Sequence, residues 1–399
     1  MDHDIVISGG GIAGLTAAAA FGQAGFDVLC VDPQPPVTTR EAEGSDLRTT
    51  AFLQPSQRFL AEAGIWDRLS AHAMPLQVMR IIDAGGDRPE PRVTRDFDAD
   101  EISELPFGWN LPNWLLRREL SEHLAALPGV TYRPSTATTT LFTREAEARV
   151  GLSDDSRVRC RLVIAADGRN SPMRGAAGID VRTIRFGQKA LAFAVTHPTP
   201  HGNVSTEIHR TGGPFTLVPL PDFEGQPSSA IVWMEEGPKA EALMALEPEA
   251  FETAMTDRSC GILGPLRLAS RRTIWPIIAQ EARQFTGQRL ALVAEAAHVV
   301  PPIGAQGLNM SLRDMITLRD LAVARPEGLG DTVMLDAYAR ARRADVGLRV
   351  AGIATLNRVS MLAPRPLRDL RAAGLSALYG TPQVRRSLMK LGLGTGSQG

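Results

Sequence analysis

The feature that most narrows the fold of this 399-residue chain lies within its first 32 residues. Asp4 to Ser8 (DIVIS) is a short β-branched strand running directly into Gly9-Gly10-Gly11-Ile12-Ala13-Gly14, and an Ala-rich helix follows to about Gly25. A second strand, DVLCVD, then ends on Asp32. This order builds a βαβ unit. Gly9 allows the tight turn, Gly11 lets a pyrophosphate approach, and Gly14 packs helix on strand. Ile12 and Ala13, between the glycines, belong to the same cofactor-binding set. Asp32 lies 18 residues past Gly14, where a carboxylate can accept hydrogen bonds from a ribose. The plainer alternative is that it caps a turn before Pro33. A lone G-x-G-x-x-G is weak evidence; in this context it predicts a dinucleotide without separating FAD from NAD.

Ile5 to Phe26 is 22 uncharged residues, long enough on paper to cross a bilayer. Six of them are glycine, however, and the preceding Met-Asp-His-Asp is acidic where a signal peptide needs positive charge, so neither a span nor a signal is expected. Three widely spaced cysteines (Cys30, Cys160, Cys260) form no disulfide framework and no metal-ligand cluster, as in a reducing cytoplasm. No metal site is expected.

Two later segments complete the chemistry. RLVIAADGRNSPMR (161–174) is a buried strand ending in Asp167-Gly168 before a helix start, a turn that suits a pyrophosphate or a ribose edge. RLALVAEAAHVVPPIGAQGLN (289–309) reads as a buried strand, an acidic tip at Glu295, and a Pro/Gly loop opening onto the helix SLRDMITLRDL. Gly304 and Gly307 remove side chains where backbone must pass a flat cofactor, and the new helix's amides offer positive dipole charge.

Together these segments resemble the flavin aromatic hydroxylases of the p-hydroxybenzoate hydroxylase superfamily, which carry an N-terminal GxGxxG, a central DG motif and a late GD…P…G motif. Narrower signals resemble its ubiquinone-biosynthesis branch: GGPFTLVPLPD with SSAIVWMEE, PNWLLRREL, SDLRTTAFLQPSQRFLAEAGIWDRL, AAHVVPPIGAQGLN, and the tail TLNRVSMLAPRPLRDLRAAGLSAL.

The resemblance implies FAD, and an α/β fold with a Rossmann-like FAD-binding domain, an inserted mainly antiparallel substrate sheet and a C-terminal helical segment. The expected division is 1–75, 108–178 and 280–335 for FAD, 76–107 and 179–279 for substrate, and 336–399 for the helices. Arg48, Asn113 and Arg117 then face flavin, and Pro302, Gly304, Ala305, Gln306, Gly307, Leu308 and Asn309 form the flavin loop. One departure stands out. Where the family usually has Gly-Asp, whose Asp hydrogen-bonds the ribityl chain, this chain has Ala294-Glu295, whose longer carboxylate must fold back or displace the cofactor slightly.

The implied reaction is hydroxylation of a polyprenylated phenol intermediate of ubiquinone synthesis by molecular oxygen, through a flavin hydroperoxide. NAD(P)H or an external protein donates electrons, since no second GxGxxG in βαβ context exists. His298 is the candidate for a proton role, although a histidine at such a junction also serves by binding backbone. Pro301 and Pro302 set the loop's shape and shield the flavin face, and Pro301 and Gly304 join His298 as the catalytic candidates of that loop. Phe215, Leu217 and Val218 are the expected pocket lining. The rival readings are a hydroxylase of a small soluble phenol and a weakly active scaffold in a quinone-biosynthesis complex.

The charge is uneven. Arg340 to Gly399 carries eleven arginines and lysines against two aspartates, a net +9 on a chain of total −1. Leu367, Leu370, Leu375 and Leu378 fall on one helical stripe with Arg365 and Arg368 off it. Such a face either packs on its own protein or rests on an anionic membrane surface, the inner face of the cell membrane. No nucleic-acid motif accompanies it.

Overall fold

The N-terminal strand folds as the centre of a sheet. In the computed structural model, which describes residues 1–86, 88–361, 369 and 379–393, His3–Ser8 pairs in parallel with Val28–Asp32 on one side and Arg157–Ala165 on the other. Val130–Pro134 extends the parallel run beyond Val28–Asp32, and Leu290–Leu292 extends it beyond Arg157–Ala165. His3–Ser8, Val28–Asp32 and Leu290–Leu292 are largely buried on both faces, so they read as apolar runs rather than alternations, whereas the edge strand Val130–Pro134 is partly exposed. The helix Ile12–Gln23 crosses over them with Leu15 and Ala17 to Phe21 buried. Cys30 and Cys160 are buried in this layer as free thiols, and burial pushes the Cys160 thiol up to about 12.

A second, nine-stranded sheet is mainly antiparallel and centres on Val181–Thr196, Gln226–Glu236 and Pro214–Phe223. Val78–Asp83 joins its edge by parallel pairing with Val204–His209, followed by Val93–Asp98, so residues from the 76–107 stretch complete this sheet. Its two faces differ. Leu191, Phe193, Phe215, Leu217, Ile231 and Trp233 are buried together with Phe251 and Met255 of the helix Pro248–Arg258. The opposite face, with Ala190, Val232 and Trp275, turns toward the first sheet and meets Ile303.

The link between the sheets runs through the late motif. After Leu290–Leu292 the chain makes one 3-10 turn at Ala294–Ala296, and His298–Val299 then pairs with Gln280 and Glu281 of the second sheet. The following helix spans Gln306–Ala324, so the last residues expected in the loop are its first turn. The long helix Thr332–Ser360 packs beside it, capped by the Asp331 side chain on the Met334 amide. Pro382–Leu393 buries Met389 and Leu393 against Leu53 and Phe107. The leucine stripe at 367–378 lies outside the described residues. No helix among the described residues is long and apolar enough to cross a membrane.

Candidate FAD and substrate site

A cavity of about 660 Å³ lies between the two sheets, lined at one end by the glycine turn and at the other by the inner face of the second sheet. Its shape begins with two glycines. At Gly9 the backbone has φ +105°, and a Cβ would lie 2.5 Å from the Ala166 carbonyl oxygen; at Gly14 a Cβ would lie 1.8 Å from the Gly9 oxygen. Strand, turn and helix therefore touch backbone to backbone. A Cβ on Gly11 would meet nothing within 4 Å, because Gly11 faces the open cavity with Ile12 and Ala13.

Asp32 closes this end. Its Oδ2 accepts from the Gly10 amide at 2.6 Å and its Oδ1 from the Gln34 amide at 2.8 Å, so it holds the turn while lining the cavity. The turn-capping reading of Asp32 is what these two bonds show. Asp167 also organises its turn, accepting from the Met173 amide at 3.1 Å and the Ser8 hydroxyl at 3.2 Å. Burial raises its pKa above the ordinary value, and its Oδ1 is buried without a partner among the described residues. Gly168 lines the cavity beside it.

Arg48, Asn113 and Arg117 come together on the middle wall. Asp46 grips Arg48 through two bonds, to Nε at 2.8 Å and Nη2 at 2.7 Å, and this pairing raises the Arg48 pKa against the effect of burial. Asn113 donates to Asp46 at 3.0 Å and accepts from Thr50 at 2.8 Å, while Arg48 lies over the Trp275 ring at 5.5 Å. The Arg117 Nε is buried with no partner among the described residues.

The late motif forms the remaining wall with Ala294, Glu295, His298, Pro301, Pro302 and Gly304 to Leu308. Behind it sits Asp314, fully buried. It accepts from the Ala294 amide at 3.0 Å and the Arg342 Nε at 2.7 Å, and lies 2.7 Å from His298 Nε2. Burial pushes the Asp314 carboxyl up, but His298 and Arg342 outweigh it and hold the pKa below the ordinary value. Ala294 takes a left-handed conformation, φ +55°. Glu295 does not fold back; its carboxylate lies 3.4 Å from Arg169 and remains nearly half exposed.

A family model described as the FAD binding domain matches residues 2–351. The chain belongs to that family. It is 33% identical over 395 residues to a ubiquinone hydroxylase, UbiL, of Rhodospirillum rubrum, covering 98% of this chain and 90% of the relative. It is 28% identical to the 3-demethoxyubiquinol 3-hydroxylase of Escherichia coli, covering 98% of each. The p-nitrophenol 4-monooxygenase PnpA of Pseudomonas putida shares the fold, with TM-score 0.79, 19% identity and 98% of both chains covered.

The cavity fits FAD on its own evidence. The open face at Gly11, the helix start at Ile12 and the unpartnered Arg117 Nε offer hydrogen-bond donors and positive charge to a pyrophosphate. Four expected site residues stand off the lining, and one of them, Gly14, packs the helix start against the Gly9 backbone. Phe215 and Leu217 do not line the cavity; strand alternation sends them to the helix-covered face, leaving Val218 and the unforeseen Thr216 on the cavity side. Asn309 is also displaced from the lining. Its amide donates to the carbonyls of Ala51 and Ala305, and its oxygen accepts from the Leu53 amide at 3.0 Å, stapling the helix start to the strand Thr49–Leu53. Sequence reasoning also missed Asp314, Ser205 and Glu207. Only the last two left a readable signal, the alternation in VSTEIH.

Proposed function

We propose that this protein is an FAD-dependent monooxygenase that hydroxylates the ring of a polyprenylated phenol in ubiquinone biosynthesis. The observation that carries the reading is one continuous cavity joining the glycine turn to an apolar sheet face. The likeness to two ubiquinone-pathway hydroxylases over nearly their whole length supports the substrate class.

Gly11, Ile12 and Arg117 would hold the FAD phosphates, Asp32 a ribose, and Arg48 with the Pro301–Gly304 loop the ring system. Bound FAD supplies the two-electron chemistry that activates oxygen toward an electron-rich ring, with NAD(P)H or a protein as donor. The amides of Gly307 and Leu308, at the start of a 19-residue helix, favour negative charge on the group they face. Pro301, Pro302 and Trp275 exclude water. His298, engaged by Asp314, acts as a positioning residue that sets the strand tip.

The division of labour follows the sheets, with the parallel sheet for FAD and the antiparallel one for substrate. We further propose that the protein rests on a membrane surface. On Pro382–Leu393, which packs on the cavity-lining Leu53 and Phe107, the apolar Val384, Leu388 and Leu391 are exposed. Co-sedimentation with anionic vesicles tests this, and no binding favours a soluble phenol. The hydroxylase reading is tested by complementing strains that each lack one ring hydroxylase of the pathway, with intermediates read by mass spectrometry. Rescue of none sinks it, and a colourless protein that takes up no FAD points to the scaffold.

A further inference from the structure

Among the described residues, Glu207 is the only carboxylate that the nine-stranded sheet contributes to the cavity lining. It sits mid-strand in Val204–His209, with Ser205 on the same face. Its cross-strand neighbours are the uncharged Thr216 and Ile81. Nearby the wall is apolar at Val218 and Val232. His209 Nε2 lies 2.7 Å from Glu207 Oε1, and His209 Nδ1 is buried without a partner among the described residues. Asp83 occupies the register position beside His209, its carboxylate accepting from the Gly85 amide at 3.1 Å.

Phosphates call for donors, whereas an ionised carboxylate offers only acceptors. His209 takes up one of its several lone-pair positions, so the ligand that meets Glu207 must present a donor. Beside Ser205, Thr216 and the apolar Val218 and Val232, Glu207 is the charged acceptor of this face, and its contact also sets how an aromatic ring is turned.

We propose that Glu207, held by His209, recognises the free ring hydroxyl of the aromatic substrate, so that the cavity accepts phenols and rejects their alkyl ethers. This rests on the hydroxylase reading of the same cavity. An ether places no proton on the carboxylate and strips it of water without replacement, which is the strongest form of discrimination a pocket can build.

The test titrates the FAD-loaded full chain with 2-allylphenol and with 2-allylanisole, reading the change in flavin absorbance. Wild type is expected to bind the phenol at least about tenfold more tightly than the ether. Glu207→Leu brings that ratio close to one with FAD content unchanged. Glu207→Gln, which keeps the shape, lowers the ratio and serves if the leucine variant does not fold. An unchanged ratio in the variant that folds overturns the proposal. Equal binding of both probes by wild type overturns it alone, leaving the hydroxylase reading intact. Binding of neither probe by wild type overturns both.

Discussion

Two strand tips of the parallel sheet reach the cavity through backbone turned to positive φ, and the chain builds them differently. At the first, Gly9 has φ +105° and no room for a Cβ beside Ala166. At the second, Ala294 occupies φ +55°, a left-handed well that an L-residue enters at a cost of roughly 1–2 kcal/mol. The difference lies in the surroundings. The Gly9 turn is pressed against a neighbouring strand, so both its angle and its distance exclude a side chain. The Ala294 turn is held from behind by a buried carboxylate that fixes its amide. A strand tip can therefore tolerate alanine where a second group supplies the restraint.

Removing that restraint is the strongest way to break the comparison. Asp314→Ala strips the Arg342 Nε of its buried partner, leaving only the Asp345 pairing, and frees Ala294 and His298, so we expect a loss of about 3 kcal/mol in denaturant unfolding. A loss under about 1 kcal/mol would mean that Ala294 needs no anchor. Gly9→Ala should cost up to about 3 kcal/mol through strain and contact with Ala166, with FAD content falling in the purified protein. Normal FAD content would refute the steric account of that turn.

The double change Ala294→Gly with Glu295→Asp sharpens the second tip. It should lower the FAD dissociation constant about tenfold, near 1.4 kcal/mol, by fluorescence titration. Unchanged affinity would show that the alanine tip already holds the cofactor as well as a glycine one. The Arg169–Glu295 pair is largely solvated, so Arg169→Gln should change stability by less than about 1 kcal/mol. The Asp314 network also predicts an acid limb. Its pKa is lower folded than unfolded, so its contribution is complete above the ordinary carboxyl value of 3.8 and is lost as pH falls through the folded value. Wild type should show this loss by urea titration at low pH, and Asp314→Asn should not.

Much of this was legible in the residues. The fingerprint, the Asp-Gly turn and the Pro/Gly loop each need particular backbone geometry, and local sequence announces such needs. Phe215 and Leu217 fall on the helix-covered face, because alternation separates a strand's two faces without saying which one a helix covers. Asn309 was misplaced for a related reason: a polar residue in a loop motif reads as a ligand until its backbone partners, about 258 residues away at Ala51, are known.

The sequence by itself determined that a βαβ unit with close backbone contacts forms at the N-terminus, because only glycine can pass where Gly9 and Gly14 pass. It also marked three motifs, and the structure brings residues of all three to one cavity. Only the tertiary structure decided which sheet face meets the cavity. It also decided that Asp314 restrains Ala294 and that Glu207 stands on the cavity wall. Those outcomes depend on partners distant in the chain, and their energies exist only once burial has removed the water that would otherwise satisfy them.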